Sequence, residues 1–333
     1  MLKCFGFAFL VASFVVGGAT ASFAADKPIT FKLSHTSAPN TAVYETYEVF
    51  KKSLEKYSDG KVKVQVYPQS QLGSDVPATE AVLKGAVDMS SIGTNNIPVF
   101  TELYFWAEMP FMFKSSKGVH QVYGGEIGNE LKQKLEETTN LKCLFYPDPG
   151  NFRNIMNAKR EVVSPKDMEG LKFRTGPSPV EMDTVRAIGG SPTPINWSET
   201  YMALEQKVVD GSMQHYQWAF SGRHQEVVRY LTELPAAHAM HLAVMNKEKF
   251  YAYPKDIQEA ILKAADDAQK WNFENTESWT DKLREKFKEA GVAIRVATPE
   301  EVEVWREAAI TMYPKYADKV PQSFIDRVRA AQD

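Results

Sequence analysis

Two arginines carry the chemistry this chain could do. Arg174 ends a short alternating stretch, Leu171-Lys172-Phe173-Arg174. The following Thr175-Gly176-Pro177-Ser178-Pro179 cannot continue a strand and opens a helix predicted to run to about Ile188. The guanidinium therefore stands where a strand hands over to a helix, the end that faces the ligand crevice in an open α/β sheet. There its planar fork matches a carboxylate through two parallel hydrogen bonds. The other reading is a surface arginine paired with Glu169 or Asp183. Arg153 falls on a neighbouring predicted strand, 152–157, and can point into the same crevice. Two guanidiniums in one partly desolvated cleft are costly unless an anion joins them. Trp197, Tyr216 and Trp218 supply either flat apolar walls or core. The polar loop ends at Ser34-His35, Thr94 to Asn96, and Gln214 supply donors and acceptors that fix a ligand's orientation.

Other chemistries find no support. The chain has no Gly-x-Ser-x-Gly elbow, phosphate-binding glycine loop or paired-cysteine metal motif. His238 and His241, three apart, are a weak metal candidate on what reads as a segment between lobes. Cys143 lies in an apolar stretch and reads as a buried small hydrophobe. Asp88 and Asp210 each enter a strand and read as turn or cap residues. No metal, no cofactor and no catalysis are expected. The formal net charge is −3, with no basic block or basic-aromatic stripe, so nucleic acid is excluded as a partner.

The elements that must position these residues come in two similar sets. Residues 1–24 read as a cleaved targeting segment, with a basic start, an apolar run over 5–16 and Ser22-Phe23-Ala24 before the cut. That run is too short to cross a membrane, and only Cys143 remains beyond it, so no intrachain disulfide is expected. What is left exceeds one comfortable core. Strand 29–33, helix 41–57, strand 62–66, helix 76–84 and strand 87–92 imply parallel crossovers in a first lobe over 25–149. An aromatic stretch, 100–113, reads as buried irregular structure, and one helix is predicted over 118–137. Pro147-Asp148-Pro149-Gly150 marks a crossing into a second lobe, 150–236, where the strand-helix pattern restarts. Ala81 to Asp88 and Ala203 to Asp210 are weakly alike, each a helix end, a tight turn and Val-Asp entering a strand. Residues 237–255 return to the first lobe through a strand over 242–245. Residues 256–333 begin with a helix long enough to span both lobes and end in helices expected on the second.

With these residues in place, the chain resembles the extracytoplasmic solute-binding proteins of tripartite ATP-independent periplasmic (TRAP) transporters, of the dicarboxylate-binding type. The carriers are Tyr67-Pro68-Gln69-Ser70-Gln71-Leu72-Gly73-Ser74, Glu80 through Asp88, and Met109-Pro110-Phe111-Met112-Phe113. They continue with Leu171 to Arg174, Gly189-Gly190-Ser191-Pro192-Thr193-Pro194, Tyr201 to Glu205 and Val208 to Gly211. The resemblance implies an α/β, two-lobe periplasmic solute-binding fold with a long helix spanning both lobes. It implies that Arg174 salt-bridges a solute carboxylate, that Arg153 assists, and that Trp197 lies against the solute. Gln214 falls where many members carry an asparagine, and His35, Asp75 and Asn96 fall in first-lobe loops facing the cleft. At Ser212-Met213-Gln214-His215 the chain departs from the usual Gln-Glu-Asn-Pro, which leaves the solute open.

The expected function is periplasmic binding of a small organic acid by lobe closure, and its delivery to membrane permease subunits. Trp197, Trp218 and Tyr216 tilt the solute toward an aromatic or heteroaromatic acid. A small aliphatic hydroxy-, keto- or dicarboxylate is the alternative. The rival class is an exported enzyme holding a carboxylate at Arg174, with His35 or Asp75 as base.

Overall fold

The computed structural model describes residues 28–332, so the targeting segment expected over 1–24 lies outside the described residues. In chain order the strands are β1 (Ile29–Ser34), β2 (Val62–Tyr67), β3 (Met89–Gly93), β4 (Leu141–Phe145), β5 (Asn154–Asn157), β6 (Lys172–Thr175), β7 (Ser191–Pro194), β8 (Gly211–Gln214), β9 (Tyr230–Glu233), β10 (His241–Asn246) and β11 (Ala293–Val296). They form two sheets, ordered β2-β1-β3-β10-β4 and β11-β9-β5-β8-β6-β7. Burial follows position in the sheet. Edge strand β2 alternates buried Val62 and Val64 with exposed Lys63 and Gln65, whereas central β3 and β10 are buried at every residue. The chain leaves the first sheet after β4 and returns from β9 to β10, which runs antiparallel to both β3 and β4.

The weak resemblance between the two Val-Asp segments reports a structural repeat. In each lobe one strand is flanked by the two that follow it in the chain, β2-β1-β3 and β7-β6-β8, all parallel. The carbonyl of Ala81 accepts from Ala86 N and Val87 N at 2.9 and 3.3 Å; that of Ala203 accepts from Val208 N and Val209 N at the same 2.9 and 3.3 Å. Asp88 Oδ2 accepts from Lys32 N at 2.7 Å, and Asp210 Oδ2 from Lys172 N at 2.8 Å. Both aspartates thus pin the middle strand of their trio to the last, a more specific role than a turn or cap.

Three differences from the sequence reading have local causes. β7 is a strand despite Pro192 and Pro194, because it is an edge: Ser191 N and Ile195 N donate inward to Leu171 O and Thr175 O, and the prolines fall between them. The helix expected over 118–137 is two, Ser116–Gly124 and Glu126–Thr138, because Gly125 takes an extended conformation. The C-terminal helices divide between lobes. Pro299–Ala309 buries Trp305 and Ala309 with Ile155 and Phe173 of the second lobe. Gln322–Ala330 instead buries Ile325 and Val328 with Trp106 and Val119 of the first, because the aromatic stretch around Trp106 leaves an apolar face there.

Lys255–Glu289, 35 residues and so about 52 Å long, joins both lobes. Its first half buries Ile257, Ile261, Ala264 and Ala268 against Val43, Tyr47 and Leu54 of helix Ala42–Tyr57. Its last turns bury Leu283 and Phe287 with Tyr216 and Leu231 of the second lobe. Midway, Asn272 holds the first crossing: its Oδ1 accepts from Asp148 N at 2.7 Å and its Nδ2 donates to Asp148 O at 3.1 Å. Gly150 lies flush against the same helix at φ +80°, where a β-carbon would fall 2.3 Å from Thr280 Oγ1.

Candidate functional site

The lobes meet over a cavity. Its first-lobe wall carries Thr36, Asp75, Asn95 and Asn96, and its second-lobe wall carries Arg153, Arg174, Trp197, Gln214 and Trp218. Ala239 and His241, at the end of the return crossing, complete the lining. The cleft continues outward past Asp75, Asn96, Arg174 and Trp197 to a mouth bounded by Val99, Pro177 and Ser198.

Arg174 ends on the cavity because β6 stops there. Ser178 caps the next helix, Pro179–Ala187, by accepting from Glu181 N, and the Glu181 carboxylate turns back to accept from Gly176 N at 2.9 Å. That tight turn holds the strand end in place. The Arg174 side chain is buried, its Nε donates to Ile195 O at 3.0 Å, and its guanidinium carbon lies 5.6 Å from the centre of the Trp197 ring. Among the described residues no carboxylate comes within ion-pairing distance of it. Asp183, one of the partners considered from the sequence, is paired instead with Arg186 and Lys315. Burial, opposed by Glu181 and reinforced by Arg153, brings the Arg174 pKa down to about 10.

Arg153 is different. Its Nη1 lies 2.9 Å from Glu181 and its Nη2 3.3 Å from Glu108, so it holds a carboxylate from each lobe. The anion expected to join the two arginines is, for this one, the protein's own. Burial opposes the Arg153 charge, yet Glu181 and Glu108 raise its pKa overall. Burial pushes Glu108 up to about 7, although Arg153 and a hydrogen bond from Thr94 restrain it.

Asp75 begins helix Asp75–Leu83 and is 7% exposed. Its Oδ2 accepts from Gly93 N at 3.1 Å and Asn96 Nδ2 at 2.8 Å, while its Oδ1 takes no hydrogen bond among the described residues. Trp218 stacks on His241, ring centres 4.3 Å apart, and its indole N–H is buried without a partner. Burial, with Arg153 near, lowers the His241 pKa to about 4.

Two expected residues lie elsewhere. His35 is not on the cavity; it stacks on Tyr47 at 4.8 Å and bonds Ser37 Oγ, beneath helix Ala42–Tyr57, and burial lowers its pKa to about 3. A buried imidazole held so has no reach to act as a base on a ligand. Tyr216 faces the second-lobe core, edge-on to Phe287, with its hydroxyl donating to Glu233 at 2.6 Å. Residues two apart on helix Tyr216–Ser221 point to opposite sides, so Tyr216 and Trp218 cannot both face the cleft. His238 and His241 share no site, for His238 bonds Asp148 and His241 bonds Ser91. No cluster of metal-ligating side chains occurs among the described residues. His215 joins the two crossings: Nδ1–H donates to Gly150 O at 3.0 Å and Nε2 accepts from Ala239 N at 3.1 Å.

Sequence reasoning missed Glu108, Glu181 and Thr36, while Asn95 falls within the polar loop end Thr94 to Asn96 that it singled out. Glu181 was legible, since Ser178-x-x-Glu181 is a capping-box pattern whose glutamate turns back toward the preceding loop. Glu108 carried no such signal.

Known proteins share this architecture. The family described as bacterial extracellular solute-binding protein, family 7, matches residues 33–319. The 2,3-diketo-L-gulonate-binding periplasmic protein YiaO of Escherichia coli is 27% identical over 283 residues, spanning 85% of this chain and 86% of its own. The C4-dicarboxylate-binding periplasmic protein DctP of Rhodobacter capsulatus is 29% identical, spanning 92% of this chain and 91% of its own. Among solved structures, a TRAP periplasmic solute-binding protein from Sulfurospirillum deleyianum with bound succinate superposes with a TM-score of 0.85 at 27% identity, covering 92% of this chain and 99% of its own. The sugar acid binding protein of Advenella mimigardefordensis, in complex with galactonate, reaches a TM-score of 0.87 over 92% of this chain and 98% of its own; at 24% identity that likeness speaks to fold alone. The two-lobe fold and the resemblance read from the motifs are borne out, and the family is extracellular by its own description, as the exported location expected from the leader requires. This chain belongs to the family 7 bacterial extracellular solute-binding proteins, the solute-binding proteins of TRAP transporters.

Proposed function

We propose that the protein binds a small organic acid between its lobes, with the carboxylate held by Arg174, and passes it unchanged to a TRAP membrane permease. The observation that carries this reading is Arg174 itself, a buried guanidinium on the cavity with no carboxylate of its own among the described residues. A desolvated, unpaired charge is stabilised when an anion arrives, and a planar carboxylate fits its fork. The relatives named for 2,3-diketo-L-gulonate and C4-dicarboxylates, and the structure with bound succinate, support an organic acid as ligand. Asp75 and Asn96 stand on one lobe and Arg174 and Gln214 on the other, so one solute touching both draws the lobes together. Family membership supports delivery, with the permease reading the closed form. Of the solute classes left open by the sequence, the aliphatic acid is favoured. Tyr216 is core, one face of Trp218 is covered by His241, and Trp197 lies against Arg174 and His224. An aromatic or heteroaromatic acid is the second reading, because Trp197 is only half-buried and reaches both cavity and mouth. The test is a panel of carboxylic acids, followed by melting temperature and by product analysis. Stabilisation by an acid with no turnover is expected; turnover, or no stabilisation by any acid, overturns the reading.

A further inference from the structure

The cavity holds an uneven set of charges. Arg153 is already flanked by Glu108 and Glu181, whereas Arg174 has no such partner. A third carboxylate, Asp75, stands on the opposite wall, more than nine-tenths buried, with Oδ2 committed to Gly93 N and Asn96 Nδ2 and with Oδ1 unbonded. Asp75 and Arg174 line both the cavity and its mouth, so a ligand held at one passes the other. The remaining polar lining side chains apart from His241, namely Thr36, Asn95, Asn96 and Gln214, are neutral.

This arrangement discriminates. A first solute carboxylate finds Arg174. A second finds no unclaimed cation and meets the Asp75 carboxylate, a like charge in a desolvated cleft. An ionised carboxylate only accepts hydrogen bonds, so Oδ1 needs a donor from the solute once a solute fills the cleft and displaces its water. We infer that Asp75 sets solute selectivity: its Oδ1 accepts a hydrogen bond from a hydroxyl or ammonium group on a monocarboxylate anchored at Arg174, and it turns dicarboxylates away. The inference rests on the carboxylate reading of Arg174.

Calorimetric titration of the purified protein decides the matter. One arm uses hydroxylated monocarboxylates (glycerate, gluconate), a second uses alanine, which offers an ammonium and no hydroxyl, a third uses propanoate and hexanoate, which lack the donor, and a fourth uses succinate and malate. At least one of the first two arms is expected to bind on the order of tenfold or more tighter than the third, and on the order of a hundredfold tighter than the fourth. Which of the two binds tells hydroxyl from ammonium. In Asp75→Asn the preference over dicarboxylates should shrink by about tenfold or more, because the like charge is gone. Succinate binding the unaltered protein as tightly as the best donor-bearing acid overturns the inference, and so does an unchanged preference in Asp75→Asn. If the variant does not fold, the ratios measured on the unaltered protein still decide. Acids that bind through Arg174 without discrimination remove only the role of Asp75. Acids that bind equally well to Arg174→Ala remove the carboxylate reading, and this inference with it.

Discussion

At the scale of single residues, the two arginines that looked alike in sequence do different work. Arg174 is buried and has no carboxylate partner among the described residues, the basis of our proposal that a ligand's carboxylate completes it. Arg174→Ala should weaken binding on the order of a hundredfold or more in a titration. Arg174→Lys should fall in between, since it keeps the charge and loses the planar fork. Equal affinity in Arg174→Ala would mean the site is elsewhere. Arg153 is a clamp between Glu108 of the first lobe and Glu181 of the second. Its removal leaves two buried carboxylates without their cation, a loss of about 3–5 kcal/mol for a broken buried pair. Arg153→Ala should therefore lower stability toward urea first and affinity second. A variant as stable as the parent would show that the clamp contributes little.

At the scale of elements, the first crossing is held by one helix residue. Asn272 satisfies both the N–H and the carbonyl of Asp148, and its Nδ2 also donates to Thr46 at 2.9 Å. All of these groups are out of contact with water; in Asn272→Ala the Asp148 N–H is left unmet, whereas Asp148 O keeps Thr276 Oγ1 at 3.2 Å and Thr46 Oγ1 keeps Ala42 O at 2.8 Å. Each unmet buried group costs about 1–3 kcal/mol, and the urea midpoint should drop accordingly. Arg174 and Asp75 lie on other elements, so ligand affinity per folded molecule should change little. A large loss of affinity without loss of stability would instead place Asn272 in the closing motion. Asp88 and Asp210 show the same economy, each fastening the strand that ends at its lobe's side of the cleft.

At the scale of the whole molecule, buried histidines set the response to acid. Burial lowers His35 and His224 to about 3, His241 to about 4, and His215 well below its ordinary value. The unfolded chain therefore binds protons that the folded protein refuses as pH falls below about 6.5. Each such group contributes stability that is complete above that value and is lost as pH falls toward its folded pKa, at up to ~1.4 kcal/mol per pH unit. Glu108, raised to about 7, works the other way between about 4.3 and 7, for the folded protein takes up its proton first. Four losses against one gain leave stability falling steeply between about pH 6 and pH 4. Urea unfolding across that range checks it, and a flat profile would show that the imidazoles gain protons without unfolding. Closure is the other molecular property. Small-angle scattering should show a smaller radius of gyration on saturation with a binding acid, since only the closed form offers Asp75 and Arg174 together. An unchanged radius would rule out lobe closure.

The sequence by itself determined the alternation of strands and helices, the return of the chain through β10, the long helix and the place of Arg174. All of these rest on periodicity, on proline and glycine, and on a turn that one capping serine defines, which are local causes. Tertiary structure decided the rest. Arg153 and Arg174 were alike until Glu108, contributed by a distant part of the chain, paired with one of them. Tyr216 and Trp218 were equal candidates until helix Tyr216–Ser221 turned Tyr216 into the second-lobe core and left Trp218 on the cavity. His35 fell beneath a helix and left the cleft. Which polar atom is met and which is left open depends on residues far apart in sequence. For that reason the open Oδ1 of Asp75, on which the proposed selectivity rests, could be read only from the folded chain.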